Sequence, residues 1–160
     1  LIIDPSTDTA EQTSITGFAG TSKWTGGVLA TNGKIYCIPR TSSTVLIIDP
    51  SNDTAEQSSI TGLTGSNKWH GATLLRDGKI YCSPRNASTV LVIDPSNDTV
   101  EEASISGLGT DTAKWLGSVV APNGKLYFIP ADSSHVLIID PVFAPSFPIG
   151  RCISAYYNKL

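Results

Sequence analysis

The amino-acid sequence predicts an all-β protein built from a repeated unit of four strands. A strand-and-turn motif of the type Leu-Ile-Ile-Asp-Pro recurs along the 160-residue chain, with copies that begin at Leu1, Leu46, Leu91 and Leu137. The copies lie 45, 45 and 46 residues apart, and a fixed period in this range indicates a repeat architecture. Four short strands in each repeat, without helical periodicity, are typical of one blade of a β-propeller.

Each strand of the second repeat has its own signal. The run VLIID is rich in β-branched residues and ends at Pro50, and the following PSNDT contains the residues that favour a tight turn. AEQSSIT predicts a polar strand in which Ile60 is the main apolar contact. The small apolar strand HGATLL and the strand KIYCSP, which ends at Pro84, are joined by an Asp-Gly hairpin signal.

The composition of the strands also predicts their radial order. The axis of a propeller is crowded, so the small residues of TGGVLA, HGATLL and LGSVVA place these strands innermost. The strands KIYCIP and VLIIDP then follow outward. The polar AEQTSIT and its equivalents should form the outer edge, where charged residues oppose edge-to-edge aggregation.

The segment NGKIYCIPRTSSTVLIIDPSNDTAEQSSITG resembles the YVTN and NHL-type propeller repeats. In those repeats a Gly-Lys hairpin and a Tyr-containing strand precede a Val-x-Val-Ile-Asp strand and an Asn-Thr turn. The resemblance covers Leu1 to Pro141 and implies the blade, whereas the Lys-Trp pair before the inner strand is outside the usual pattern. Those families span extracellular binding proteins, partner-binding modules and some lyases or lactonases, so the resemblance leaves the function open.

The repeats organise most of the chain. They cover 1–45, 46–90 and 91–136, and a fourth copy of the first strand follows at 137–141. The segment 142–160 abandons the repeat, so we expect an irregular tail rather than a regular outer strand. Because the chain begins with leucine, on the third strand of a blade, we expect a fragment, a processed product or a trimmed form.

The number of repeats predicts how a ring would close. About three blades do not make a ring, since propellers generally have about 4 to 8, and an open arc would expose two apolar blade faces. Two chains around a two-fold axis would give about six blades. We therefore expect a six-bladed homodimer with shared blades at both seams, in which either Leu1–Pro5 or Val136–Pro141 is unpaired or displaced. The alternative is a piece of a longer single-chain propeller.

The composition excludes several classes of function. The net charge is −3 and the lysines are spread over the repeats, whereas binding to a nucleic-acid backbone needs clustered basic charge. No stretch reaches the roughly 18 apolar residues of a membrane helix, so no membrane partner is expected. The three cysteines include no Cys-x-x-Cys pair and form no closed disulfide framework. No metal and no cofactor is expected.

Two of the cysteines have a packing explanation. Cys37 and Cys82 occupy the same repeat position as Phe128. A position that accepts phenylalanine is an apolar slot, so we expect free thiols that fill space between strands.

The candidate ligand-binding residues are the Lys-Trp pairs that precede the inner strands. They are Lys23-Trp24, Lys68-Trp69 and Lys114-Trp115, with His70 beside the second pair. At the mouth of a central channel such pairs could present aromatic faces to a sugar or cationic groups to an anion. The alternative is that each tryptophan packs between neighbouring blades while the lysine extends over it towards solvent.

The remaining candidate polar residues indicate turns rather than metal-binding or catalytic sites. One carboxylate per turn supplies too few oxygens for a calcium site, so we expect Asx-type turns at Asp4, Asp49, Asp94 and Asp140. The two histidines, His70 and His135, lie at different repeat positions without a catalytic motif beside them. The sequence therefore predicts no catalytic residue.

Three classes of function remain open. The prediction is a non-catalytic propeller scaffold for binding or assembly, with a second copy of itself, and a protein or carbohydrate ligand, as the partners. The alternatives are a multivalent lectin that uses the Lys-Trp positions, where avidity compensates for weak sites, and a lactonase- or lyase-like enzyme. Asn-x-Ser/Thr triplets favour a secreted or extracellular protein, and they begin at Asn52, Asn86 and Asn97.

Overall fold

The computed structural model describes residues 2–11, 15–58, 60–101 and 105–141, and within these ranges it contains strands and no helix. The strands are β1 (Ile2–Asp4), β2 (Thr9–Glu11), β3 (Trp24–Leu29), β4 (Ile35–Pro39), β5 (Leu46–Asp49), β6 (Thr54–Gln57), β7 (Trp69–Leu74), β8 (Ile80–Pro84), β9 (Leu91–Asp94), β10 (Thr99–Glu101), β11 (Trp115–Val120), β12 (Leu126–Pro130) and β13 (Leu137–Ile139). The all-β prediction is confirmed.

The strands form antiparallel sheets in chain order. β3–β6 and β7–β10 are four-stranded sheets, which we call blade A and blade B, and the three-stranded sheet β11–β13 is blade C. β1 and β2 form a two-stranded sheet that precedes blade A. The first strand of blade B lies against the first strands of blades A and C. The predicted radial order, from small inner strands to polar outer strands, is therefore confirmed.

A bulge in each inner strand lets the blades approach closely. In blade B the register between β7 and β8 shifts between Trp69 and Ala72. Gly71 lies in this bulge with a φ of 74°, and a Cβ added there would be 3.3 Å from the carbonyl oxygen of Leu116 in blade C. Glycine is thus required both by the backbone conformation and by the neighbouring blade.

The hydrophobic core lies between the blades. We call the face of a blade that points to the next blade along the chain its front face, and the opposite face its back face. The front face of blade A contributes the buried residues Tyr36, Ile38, Val45 and Ile47. The back face of blade B packs against them with Trp69, Ile80, Cys82, Leu91 and Ile93. Blades B and C enclose a second cluster of the same kind, which includes Val90, Val92, Leu126 and Phe128.

The outer strand of blade A is shorter than the sequence indicated. β6 ends at Gln57, although the polar stretch continues to Thr61. The chain still follows the blade beyond this point, because the amide of Ser58 donates to the carbonyl of Val45 at 2.9 Å. Ile60 is only 5% exposed and belongs to the core between blades A and B, as its apolar side chain predicted.

The first three Asp-Pro turns are Asx-type turns, as predicted. In the first three copies the aspartate Oδ1 accepts hydrogen bonds from the amide and hydroxyl of the serine two residues later, as in Asp49 with Ser51 at 2.9 and 2.6 Å. The serine hydroxyl bond and then the amide bond hold the pKa of each carboxyl below its ordinary value, at Asp4, Asp49 and Asp94. In the fourth copy Asp140 pairs with Lys125 at 2.8 Å, and the residue two positions after it lies outside the described residues.

The predicted irregular tail, 142–160, lies outside the described residues, as does Cys152. None of the described residues belongs to a helix of the length and apolarity that crossing a membrane requires.

Candidate functional site

The tryptophans of the Lys-Trp pairs are anchored in the same way in every blade. Each indole nitrogen donates to a backbone carbonyl twenty residues later, at 2.9 Å. The bonds are Trp24 to Thr44, Trp69 to Thr89 and Trp115 to His135. Trp69 and Trp115 are buried, whereas Trp24 is half-buried. A buried indole needs an acceptor, and this bond fixes the start of the inner strand to the loop between the second and third strands.

Lys68 is enclosed by backbone carbonyls rather than extended towards solvent. It is 3% exposed, and its Nζ donates to the carbonyls of Ser42 at 2.8 Å, Gly65 at 3.1 Å and Arg40 at 3.3 Å. Two of these acceptors belong to blade A, so the ammonium group links two blades. Lysine extension into solvent, which the packing alternative assumed, does not occur at this position. These carbonyls take the place of the water molecules that the ammonium group loses when it is buried.

The other two lysines differ from Lys68. Lys114 is also buried, with its Nζ donating to the carbonyl of Asp111 at 2.8 Å, and burial lowers the pKa of its ammonium. Lys23 is half-buried, and its Nζ lies 4.4 Å from the ring centroid of Trp24, a cation–π contact. Phe18 packs edge-on against the same ring, with 5.7 Å between centroids.

A cleft of ≈ 290 Å³ lies beside the second Lys-Trp pair. The loops 64–66 and 86–89 form its walls, and Lys68 and Trp69 line it as well. Because both of these side chains are almost fully buried, the serine, threonine and asparagine groups of the loops supply most of the polar surface that a ligand would meet. The cleft can offer hydrogen bonds to a polar ligand and little aromatic surface for stacking.

The inner-strand position of His70 bridges neighbouring blades. The His70 Nδ1 is 3.0 Å from the carbonyl oxygen of Leu116 in blade C, and Thr25 at the same repeat position donates to the carbonyl of Trp69 at 3.4 Å. His135 lies on the surface loop between β12 and β13, where its ring nitrogen contacts the Ser134 hydroxyl. It therefore does not occupy the inner-strand position of His70. Among the described residues, no group of three or more His, Cys, Asp or Glu side chains could hold a metal ion.

A polar bridge between blades A and B has no counterpart among the predicted sites. The Tyr36 hydroxyl donates to Asp98 Oδ1 at 2.5 Å, and the Asn32 amide donates to the carbonyl of Pro95 at 3.0 Å. Burial, and then the Asp98 carboxylate, raise the pKa of Tyr36 to about 12. Tyr81, at the same position in blade B, donates to Asp77 of its own blade at 2.9 Å. Tyr36 also accepts a hydrogen bond at 3.0 Å from Asn32 of its own hairpin, so in both blades the hairpin residue four positions earlier bonds the tyrosine hydroxyl.

The front face of blade C is an open apolar surface. Four large hydrophobic side chains on it are about half exposed: Val119 (58%), Ile129 (50%), Val136 (52%) and Ile138 (49%). Three of them occupy the repeat positions of Ile38, Val45 and Ile47 on the front face of blade A, which are at most 2% exposed. Blade C therefore presents, uncovered, the same positions that blade A buries against blade B.

The inner part of the back face of blade A is open in the complementary way, whereas Leu46 farther out on this face is buried. Leu29 is 62% exposed, whereas Leu74, its equivalent in blade B, packs against the core between blades A and B. Cys37 is half-buried, and its equivalent Cys82 is fully buried. Both thiols are free, as predicted. The inner part of this face lacks a covering blade because the preceding sheet contains only β1 and β2 among the described strands.

The three glycosylation triplets are not equally accessible. Asn52 and Asn97 are exposed, and each accepts a hydrogen bond at 2.6 Å from the threonine hydroxyl of its own triplet. Asn86 is half-buried, and its Oδ1 accepts the amide of Ala113 at 2.8 Å.

The fold is similar to that of several solved structures, although no protein-family model and no curated protein matches the sequence. Virginiamycin B lyase from Staphylococcus aureus, a propeller, has a TM-score of 0.58 at 14% identity over 81% of this chain. An extracellular domain assigned to a hybrid two component system of B. thetaiotaomicron has a TM-score of 0.60 at 16% identity over 81%. An auxiliary nutrient binding protein from Bacteroides ovatus has a TM-score of 0.55 at 16% identity, again over 81%.

The chain spans only part of these proteins: 45% of the lyase, 16% of the extracellular domain and 30% of the nutrient binding protein. At such low identity the likeness shows the fold alone. Together with the four-stranded antiparallel sheets arranged around their inner strands, it establishes this chain as a β-propeller repeat protein that forms part of a propeller. The likeness to propeller repeats predicted from the sequence is confirmed.

Proposed function

We propose that this chain is a non-catalytic propeller scaffold that binds a second copy of itself and closes a six-bladed ring. The observation that carries the proposal is the pair of open apolar faces, one on blade C and one on blade A. Exposed apolar surface of this extent is uncommon on soluble monomers and usually marks an interaction site.

The two open faces match each other residue by residue. Within the chain, the front-face residues Ile38 and Val45 of blade A pack in one cluster with Ile80 and Leu91 on the back face of blade B. The front face of blade C carries Ile129 and Val136 at the positions of Ile38 and Val45. The back face of blade A carries Ile35 and Leu46 at the positions of Ile80 and Leu91; Ile35 is half-buried and Leu46 is already buried, while the neighbouring Leu29 is 62% exposed. Blade C of one copy can therefore pack on blade A of another with the packing of an internal interface.

Two copies are the number that closes the ring within the usual range. Each copy offers one front face and one back face, so a two-fold axis satisfies both seams at once. Three copies would give about nine blades, more than the usual 4 to 8. At each seam, blade C of one copy would share a blade with the β1–β2 sheet of the other.

Light scattering on the 160-residue chain tests the proposal. We expect about 34 kDa, twice the chain mass of 16.9 kDa, and a shift to the monomer in Ile129→Lys, which places a charge on the front face of blade C. Thr110→Lys makes the same charge change on an exposed loop and should leave the dimer intact. A folded 16.9-kDa monomer of the unaltered chain would overturn the homodimer and assign the open faces to further blades of a longer chain.

The cleft beside Lys68 and Trp69 supports a second candidate, carbohydrate binding. Its polar loops repeat from blade to blade, so weak sites could act together in a ring. A glycan array probed with the dimer tests this function, and Asn86→Ala combined with Ser66→Ala should abolish any signal that comes from the cleft. The lactonase- or lyase-like alternative is supported by the fold of one structural neighbour and by no arrangement of side chains. We propose that purified protein turns over no lactone or ester.

We further propose an extracellular location. Two exposed glycosylation triplets support it, and two of the structural neighbours are described as an extracellular domain and a nutrient binding protein. Expression behind a secretion signal in a eukaryotic cell should give a product that loses mass on glycosidase treatment, and Asn52→Gln with Asn97→Gln should remove most of that loss. Retention of an unglycosylated chain inside the cell would argue against this location.

A further inference from the structure

We infer that β13 of one copy replaces β1 of the other at each seam of the dimer, and that β1 is the strand released. This inference rests on the proposed assembly and specifies its interface. A shared blade would receive first and second strands from β11 and β12 of one copy and a fourth strand from β2 of the other. Only one third strand fits between them, and both β1 and β13 have the sequence for it.

β13 is held in its blade by several kinds of contact. It pairs with β12 through Leu126↔Ile139, Tyr127↔Ile138 and Phe128↔Leu137. Leu137 and Ile139 also pack against the core between blades B and C. The residue that follows the strand, Asp140, forms a 2.8 Å ion pair with Lys125 of the adjoining hairpin.

β1 has far weaker support. It pairs only with β2, over three residue pairs, in a sheet of two strands. Ile3 is 66% exposed, the highest value among the large hydrophobic residues of the described chain. A two-stranded ribbon of this length is marginal in water. Release of β1 therefore sacrifices little packing, whereas release of β13 would open part of a buried core.

The repeat fixes the register of the exchange. Ile139 is the repeat equivalent of Ile3, which pairs with Ala10, and the complete blade A shows the same pair as Ile48↔Ala55. β13 should therefore pair with β2 of the other copy through Ile139 opposite Ala10. Because the new pairing has the same length and register as the β1–β2 pairing that it replaces, the exchange conserves backbone hydrogen bonds while it buries the two open faces.

Engineered disulfides test which strand occupies the seam. Directly opposed residues in antiparallel strands lie about 4.5–5.5 Å apart at Cα, a distance that a disulfide can span. We expect Ile139→Cys with Ala10→Cys to form a covalent dimer on oxidation, with peptide mapping by mass spectrometry linking positions 139 and 10. Ile3→Cys with Ala10→Cys is the matched control, because its disulfide would lock β1 onto β2 within one chain and block the exchange. We expect that protein to be monomeric when oxidised and dimeric when reduced.

Deletion of residues 1–4 gives a second measurement. The shortened chain should dimerise at least as tightly as the full chain, because β1 no longer competes with β13 for β2. Two results would show that β1 keeps its place and would overturn the inference: a dimer that dissociates at least tenfold more readily after this deletion, or an oxidised Ile3→Cys/Ala10→Cys protein that remains a dimer. Either result would leave the proposed dimer itself intact. A monomeric unaltered chain would instead refute the assembly on which the inference rests.

Discussion

The Tyr36 hydroxyl and the Asp98 carboxylate join blades A and B through a 2.5 Å hydrogen bond that spans 62 residues of sequence. Tyr36 itself is fully buried in the core between these blades, so its ring packs while its hydroxyl reaches the turn of the next blade. A hydrogen bond to an ionised acceptor is stronger than one between neutral groups. This bond therefore helps to fix the position of blade B relative to the buried ring of Tyr36 in blade A.

Tyr36→Phe should lower the free energy of unfolding by about 1–2 kcal/mol, because it removes this bond and leaves the ring in place. Urea denaturation at neutral pH measures the change. Tyr81→Phe is the matched control, since the Tyr81 hydroxyl donates to Asp77 of its own hairpin at 2.9 Å rather than to a neighbouring blade. Equal losses of unfolding free energy in the two variants would show that the bond between blades stabilises the fold no more than a bond within one blade.

Stability should also fall at high pH because of Tyr36. Its pKa is raised from 10.0 to about 12 in the folded protein. A group with a raised folded pKa contributes its full stability below the unfolded pKa and loses it as the pH rises through the folded pKa. The free energy of unfolding should therefore decrease between pH 10 and 12, and Tyr36→Phe should reduce that decrease. Part of it should persist in the variant, because the pKa of Tyr81 is raised too, and no reduction at all would contradict the assignment.

The radial order of the strands could be predicted because every repeat contains the same local signals. Small residues such as Gly71 and Ala72 mark the inner strand, a hairpin dipeptide leads outward, and glutamates mark the edge. Those features follow from the backbone conformation and the space available at each radius. They need no knowledge of how neighbouring blades are aligned.

The surroundings of Lys68 and Tyr36 could not be predicted in the same way. The acceptors of the Lys68 ammonium are backbone carbonyls, which every residue possesses, so no residue type marks them in the sequence. Tyr36 and Asp98 both lie in repeated motifs, yet their pairing depends on the stagger between two blades. At the same repeat position Tyr81 donates to Asp77 of its own hairpin, where blade A has Asn32, so the repeat position alone does not fix the partner.

Ser83→Val should stabilise the protein by about 1–2 kcal/mol. Ser83 is fully buried on the front face of blade B, where blades A and C have Ile38 and Ile129, and its hydroxyl has no hydrogen-bond partner among the described residues. Valine removes an unsatisfied polar group and fills part of the space that isoleucine occupies elsewhere. Chemical denaturation measures the gain, with Ser88→Val on an exposed loop as the control. A loss of stability in Ser83→Val would mean that the site is already filled.

Lys68→Met should lower the free energy of unfolding by about 1–3 kcal/mol, because one buried and two part-buried carbonyls lose a charged donor. The side chains are similar in length, so the variant tests the ammonium group rather than the packing of the chain. Lys23→Met is the matched control: this lysine is half-buried against Trp24, and its loss should cost under about 1 kcal/mol. Thermal or urea denaturation compares the two, and equal effects would rule out a special role for the carbonyl cage.

The two described thiols should report both the fold and the assembly. Burial raises the pKa of Cys82, which is fully enclosed between blades A and B, and the thiolate is the reactive form. Native protein should therefore be alkylated at Cys82 only when it unfolds. Cys37 holds the same position on the open back face of blade A, where it is half-buried, so it should react faster than Cys82 in the monomer.

In the proposed dimer, blade C of the other copy covers Cys37. Its alkylation rate, followed by peptide mass spectrometry, should fall at least tenfold as the protein concentration rises through the dimerisation range. The rate at Cys82 should stay low throughout. In Ile129→Lys, which cannot dock its front face, the Cys37 rate should be independent of concentration. If light scattering shows a dimer while the Cys37 rate stays constant in the unaltered chain, the seam does not cover the back face of blade A, and the two copies meet through another surface.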